Sequence, residues 1–172
     1  MAEITMAQLQ ERVRGEIITP DSDAYDEARK VCNAMIDRRP RVVVRAADAG
    51  DVMAAVDFAR ENQLDLAVRG GSHSVPGFGT CDDGVVVDLG GMRGVRVDAA
   101  KQTARAEGGA TWGDFNHATH AFGLVTTGGI ISTTGMGGLT LGGGRRSAKQ
   151  CRRISTDAGS QLAHGPAKAG GR

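Results

Sequence analysis

Apolar residues recur along this chain at helical spacing in some stretches and at strand spacing in others, and the switches between the two outline its elements. Near the start, Thr5 and Gln8 stand three apart ahead of Leu9, the arrangement of a capping box, and predict a short helix. From Asp21 or Ser22 onward, Tyr25, Ala28, Val31, Cys32, Met35 and Ile36 fall at intervals of three and four. That pattern predicts a second helix with Cys32 on its core face, ended by Pro40. Arg41-Val42-Val43-Val44-Arg45 is a β-branched run, hence a buried strand, and Asp48 caps a helix whose inner face is Val52, Ala55, Val56 and Ala59. Leu64 to Val68 returns as a strand, so this part reads as one βαβ unit with parallel strands and a right-handed crossover. Val85 to Leu89 and Thr103 to Glu107 are further strands, joined through Arg93-Gly94 and Asp98. Thr111 and Asp114 form a second capping box, before a helix with Trp112, Phe115, Ala118 and Phe122 on its apolar face; Gly123 stops it.

The length of 172 residues predicts a single core and is short for two full domains. Glycine supplies 26 residues, and twenty of them lie between Gly70 and Gly144, so the surplus belongs to one segment rather than to a uniformly flexible chain. The net charge of +1 hides a split: 14 Lys and Arg face 19 Asp and Glu up to residue 144, and seven face Asp157 alone afterwards. Such asymmetry marks a tail outside the folded body. Its basic residues have no aromatic residue interleaved for base stacking, which argues against a nucleic-acid partner. Cys32, Cys81 and Cys151 are too scattered for a disulfide framework or a CxxC metal site. No apolar run reaches membrane-spanning length, and MAEITMAQLQ lacks the pattern of a secretory signal, so the expected location is the cytoplasm with no membrane partner.

Two segments carry candidate chemistry. Arg69-Gly70-Gly71-Ser72-His73-Ser74 is a polar loop at the carboxyl end of a strand, where open α/β sheets bind ligands. Residues 128 to 144 hold eight glycines in 17 positions, mixed with Ser and Thr. Free backbone N–H groups and small hydroxyls in such segments suit a pyrophosphate, while the bland alternative is glycine that merely permits tight turns or close helix packing. The pattern is not the dinucleotide GxGxxG, which would follow the first strand of the unit, and no Gly-Lys-Ser/Thr of a P-loop occurs. His117 and His120 sit three apart on the Thr111 helix with no carboxylate or Cys placed to complete a metal site, and read as exposed helical residues. Cys81, in a Gly-Thr-Cys-Asp-Asp-Gly turn, reads as exposed.

Several short motifs follow in order. They are Val68-Arg69-Gly70-Gly71-Ser72-His73-Ser74 with Gly77, then Val87-Asp88-Leu89, Glu107-Gly108-Gly109-Ala110, and Thr134 through the triplet Gly142-Gly143-Gly144. Tyr25-Asp26-Glu27-Ala28-Arg29, Asn33 and Arg39-Pro40 precede them. Together these resemble the FAD-binding domain of the vanillyl-alcohol oxidase and p-cresol methylhydroxylase superfamily, most of all the berberine-bridge-enzyme-like bacterial FAD-linked oxidases. The resemblance covers about residues 15 to 144. It implies an α+β fold of α/β-type, PCMH-type FAD-binding subdomains, incomplete here, with a disordered basic C-terminal tail. The implied division is a helical segment over 1–38, the FAD-binding portion over 39–144 and a disordered or non-family tail over 145–172.

The implied cofactor is FAD, held by Arg69, Gly70, Gly71, Ser72, His73, Ser74 and Gly77 in the first segment and by Thr133, Thr134, Gly135, Gly137, Gly138 and Gly142 in the second. His73 is the residue the family bonds to the flavin 8α-methyl carbon. Ile131 stands where some members carry a second flavin-bonding Cys, so at most one covalent link is expected. Ser72 departs from the family, which has a third Gly there. A larger departure begins at Arg145, where the family's continuation towards its substrate domain is replaced by basic, aperiodic text, as in a truncated or frame-shifted gene. Two function classes therefore stand: the FAD-binding portion of an oxidoreductase that passes hydride from a small-molecule substrate to flavin N5 and electrons to O2, or a remnant that binds FAD weakly without activity. Loss of the covering part is expected to leave apolar surface and a tendency to self-associate.

Overall fold

A computed structural model describes residues 3–142, 154–155 and 161–163. The chain divides into two compact units, residues 1–92 and 93–172, where the length alone predicts a single core.

The first unit contains α1 (Met6–Arg12), β1 (Glu16–Ile18), α2 (Tyr25–Ala28), β2 (Val42–Arg45), α3 (Ala49–Glu61), β3 (Leu66–Arg69) and β4 (Val85–Asp88). Thr5 and Gln8 form the expected capping box, and Asp48 caps α3 through the Gly50 and Asp51 N–H groups. The sheet order is β1-β2-β4-β3. β2 and β3 are both parallel to β4, which lies between them, and β1 adds antiparallel to β2. The valines of β2 and β4 are buried on both faces, as central parallel strands require. Val42, Val44, Val85 and Val87 pack with Leu9 of α1 and with Ala54, Ala55, Phe58 and Ala59 of α3. Val43 and Val86 pack on the other face with Ile18, Tyr25, Ala28, Ala67 and Cys81. α1 and β1 therefore carry part of this unit's core.

The second unit contains β5 (Val95–Asp98), β6 (Thr103–Ala106), α4 (Trp112–His120), α5 (Met136–Gly142), β7 (Ile154–Ser155) and β8 (Gln161–Ala163), with the antiparallel order β5-β6-β8-β7. A mixed, mainly parallel sheet in one unit and an antiparallel sheet in the other make the chain α+β. The Thr111 and Asp114 capping box is present. Ala104, Ala106, Ala110, Trp112, Phe115 and Met136 form the core, while Phe122, expected on it, is 53% exposed because α4 ends at His120 and the chain turns at Gly123 with φ +66°. β8 pairs with β6, and β7 with β8; the rest of the expected tail over 145–172 lies outside the described residues.

The predicted helix over 21–36 is reduced to the four residues of α2, and the reason is tertiary. The Ala28 carbonyl, which a continuing helix would offer to the Cys32 N–H, accepts from the Arg69 guanidinium instead, and the Lys30 carbonyl accepts from Arg69 at 3.2 Å. The Cys32 N–H turns to the Ser72 carbonyl at 3.2 Å. Contacts to the β3 end and its loop thus outcompete a helical preference worth only tenths of a kcal/mol per residue. β1 and β5 carry too few alternating positions to be read in advance.

Asp51 joins α3 to the chain before β1. Its carboxylate is buried and accepts from the N–H groups of Arg14 at 2.7 Å, Gly15 at 3.0 Å and Ala47 at 2.8 Å. Burial raises its pKa, but the peptide donors outweigh burial and hold it below the usual carboxylate range. The stabilisation is therefore present above about pH 4 and lost as pH falls through the depressed value. Asp51→Asn, which replaces one acceptor oxygen by a donor, is expected to cost about 2 kcal/mol at pH 7. Denaturant titrations at pH 7 and pH 3 check this: the gap between the two proteins should narrow at the lower pH.

Candidate functional site

The loop after β3 is built from its base. Arg69 and Asp88 are register partners at the carboxyl ends of β3 and β4, and their side chains pair at 2.8 Å with 5% and 14% exposure. The same guanidinium holds the carbonyls of Ala28 and Lys30, and its Nε has no partner. Its carbonyl accepts from the Leu89 N–H at 2.8 Å, so both side chain and backbone of Arg69 serve the base of the loop. Above it, Ser72 adopts φ +57°, the left-handed region that glycine enters freely and serine enters at a cost. This explains why a Gly is usual there.

Ser74 closes the loop. Its carbonyl accepts from the Gly77 N–H at 3.0 Å and its hydroxyl from the Phe78 N–H at 3.0 Å. Gly77 sits at φ +78°, and a Cβ there would meet Ile36 Cγ2 at 2.9 Å, so both backbone and packing demand glycine. Gly70, Gly71, Ser72, His73 and Ser74 are all partly buried. Among the described residues, the N–H groups of Gly71, Ser72 and Ser74 donate to no protein acceptor.

Residues 28 to 38 brace this loop from the outside. Besides the Cys32 contact to Ser72, Asn33 Nδ2 donates to the Val75 carbonyl at 2.9 Å while its Oδ1 accepts the Met35 N–H at 3.1 Å. Arg38 donates to the carbonyls of Gly77 at 3.4 Å and Thr80 at 2.8 Å. Arg38 escapes sequence reasoning altogether. The only trace it leaves is a second arginine before Pro40, which reads equally well as surface charge.

The other glycine segment lies in the second unit. Residues 132–136 pair with 110–113: the Trp112 N–H donates to Thr134 at 3.0 Å, Gly113 to Ser132 at 2.8 Å and Met136 to Ala110 at 2.9 Å. Its glycines have two uses. A Cβ at Gly128 would fall on the Trp112 ring, and one at Gly137 would meet the Gly108 carbonyl at 3.0 Å, so these serve packing. Gly138 and Gly142 face open space. Gly135 is buried, Thr134 partly buried, and Thr133 and Ile131 exposed. His117 and His120 are exposed.

The two cysteines exchange their expected places. Cys32, expected in the core, is exposed because α2 stops before it. Cys81, expected at the surface, is buried among Ile18, Val43 and Val86 with Sγ 3.6 Å from the Val85 carbonyl, and burial raises its thiol pKa.

Comparison with known proteins gives this geometry a family. The family model described as "FAD binding domain" matches residues 40–155. The chain belongs to this FAD-binding family. It is 34% identical over 151 residues to an uncharacterized FAD-linked oxidoreductase of Bacillus subtilis, covering 88% of this chain and 34% of that protein. It is 36% identical over 132 residues to (R)-6-hydroxynicotine oxidase of Paenarthrobacter nicotinovorans, covering 77% of this chain and 29% of that protein. Among solved structures, 6-hydroxy-D-nicotine oxidase from Arthrobacter nicotinovorans matches with TM-score 0.72 and 35% identity, over 74% of this chain and 28% of the other. A berberine-bridge-enzyme-like protein of Physcomitrella patens matches with TM-score 0.73 and 25% identity, over 80% and 30%. The chain thus spans about a third of the length of the curated relatives it matches.

FAD fits the residues present. Three N–H groups of partly buried residues in the first unit have no protein acceptor among the described residues and would suit phosphate oxygens, and Gly138 and Gly142 in the second have open space beside them. No helix among the described residues is long and apolar enough to cross a membrane.

Ser72→Gly is expected to raise stability by about 1 kcal/mol, since the left-handed backbone is unfavourable for serine. For a chain of this size the melting temperature should rise by about 2–4 °C. Thermal unfolding followed by circular dichroism measures it; an unchanged or lower midpoint would show that Ser72 is not strained.

Proposed function

We propose that this chain is the flavin-holding portion of an oxidase-type enzyme acting on a small molecule, with His73 as the point of covalent attachment. The observation that carries the reading is the loop after β3, where the free donors of Gly71, Ser72 and Ser74 flank His73 on a braced base. When bound, FAD would supply hydride acceptance at N5 and transfer of the electrons to O2. The chain's own contribution is to bind and orient. The peptide donors would take the pyrophosphate oxygens, and the partly buried imidazole would serve as the nucleophile towards the 8α carbon. Ile131, an alkyl side chain, offers no nucleophile for a second bond. In the second unit, Thr133, Thr134, Gly135, Gly137, Gly138 and Gly142 would supply further cofactor contacts. The substrate class follows the relatives' oxidase chemistry. Exposed Val75, Phe78, Ile130 and Leu141 support self-association.

The test is the purified chain incubated with FAD, read by quenching of flavin fluorescence and by mass spectrometry under denaturing conditions. Saturable quenching and a protein mass increased by one FAD are expected. His73→Ala should keep the quenching and lose the adduct. An adduct that survives in His73→Ala would move the attachment elsewhere, and absence of quenching in the unsubstituted chain would overturn the FAD reading.

A further inference from the structure

We infer that Asn33 and Arg38 are positioning residues for the His73 loop, and that the segment carrying them works as a strap masking the loop's carbonyls so that the face left to a ligand is one of donors. The inference rests on the reading of the loop as the flavin site and goes beyond it, because neither residue belongs to the glycine motifs.

A peptide loop of this kind presents as many acceptors as donors, and a carbonyl oxygen facing a phosphate repels it. Here four loop carbonyls are taken from outside: Ser72 by the Cys32 N–H, Val75 by Asn33 Nδ2, and Gly77 and Thr80 by Arg38. Meanwhile the N–H groups of Gly71, Ser72 and Ser74 have no protein acceptor among the described residues. Four acceptors of the loop are thus held on the strap, while three donors beside His73 are left without a protein partner. Asn33 suits its place because one amide does two jobs: Oδ1 fixes the turn to Met35 while Nδ2 crosses to Val75. Arg38 forms no ion pair among the described residues, although Asp37 is its neighbour; Asp37 pairs with Arg29. Its guanidinium is spent on carbonyls, and its charge lies behind the loop with no carboxylate bound to it. Both residues act through the loop and need touch no cofactor.

The experiment compares the full chain with Asn33→Ser, Arg38→Met and Arg38→Lys. Serine keeps a short acceptor for the Met35 N–H but cannot reach Val75. Lysine keeps the charge and has donors for both carbonyls, whereas methionine keeps only the apolar stem. Amide exchange without FAD is read at Cys32, Gly77 and Thr80, whose N–H groups bond within the loop or to it, and at the valines of β2 and β4 as the internal reference. FAD affinity is read separately by fluorescence titration. Asn33→Ser and Arg38→Met are expected to speed exchange at the loop amides by about tenfold, to leave β2 and β4 unchanged, and to weaken FAD binding by about tenfold. Arg38→Lys should restore most of both. Unchanged loop exchange in Asn33→Ser and Arg38→Met overturns the strap. Faster exchange throughout β2 and β4 overturns it in favour of a general stabilising role. A loosened loop with unchanged FAD affinity overturns the link to the cofactor. If the unsubstituted chain binds no FAD, it is the flavin reading that fails, and the exchange arm still decides whether these two residues hold the loop.

Discussion

The buried pair of Arg69 and Asp88 is the contact from which the first unit's site is built. It closes the carboxyl ends of two parallel neighbours, β3 and β4, and its guanidinium then reaches back across the sequence to two carbonyls of the chain leaving α2. Ion pairs this buried are poor sources of net stability, because desolvation offsets most of the attraction, while removal of one partner typically costs about 3–5 kcal/mol. Their value lies in specifying geometry. Here the geometry specified is that residues 28–38 run beside the loop instead of continuing as helix. Helical hydrogen bonds from Cys32 and beyond are given up, and the freed donors go to the loop. One electrostatic contact thus converts a stretch of helical periodicity into a brace.

That conversion marks where sequence reasoning succeeds and where it stops. The capping boxes at Thr5 and Thr111, the Asp48 cap and the buried strands of β2 and β4 were legible because each rests on residues three or four positions apart or on a continuous β-branched run. The stretch from Val31 to Ile36 was misread because its apolar spacing is helical while its backbone partners lie some 40 residues away. Cys32 and Cys81 follow from the same cause: Cys32 loses its core place when the helix ends, and Cys81 gains one because the turn before β4 folds under the sheet. β1 and β5 owe their existence to partners in β2 and β6 and leave almost no local pattern. The loop from Arg69 to Gly77 stands out through its ordered motif and Asn33 through the resemblance, whereas the contacts of Arg38 to the Gly77 and Thr80 carbonyls leave no trace in the sequence.

The glycines divide along the same line. Composition counts them together, but the structure separates those that admit a neighbour from those that leave space. Gly128 admits the Trp112 ring, Gly137 the Gly108 carbonyl and Gly77 the Ile36 side chain, so these three would be required in an apo protein with no ligand at all. Gly138 and Gly142 have no such neighbour. Tight packing therefore accounts for some glycines of this stretch and not for others.

Keeping donors free is costly, and this sets the balance between the loop and its surroundings. A peptide N–H with no protein acceptor makes no contribution to holding its own loop, and a serine in the left-handed region adds a local cost. Such a loop persists only if its surroundings over-determine it. The brace from Cys32, Asn33 and Arg38 engages only the loop's acceptors, and the Ser74 turn uses the Gly77 and Phe78 N–H groups, which leaves those of Gly71, Ser72 and Ser74 without a protein partner among the described residues. An anion bound to the folded loop would stabilise it, so binding and stability would be linked. The same linkage explains why the base must be rigid. If the loop could relax, its N–H groups would turn to neighbouring carbonyls, and the arrangement of donors would be lost.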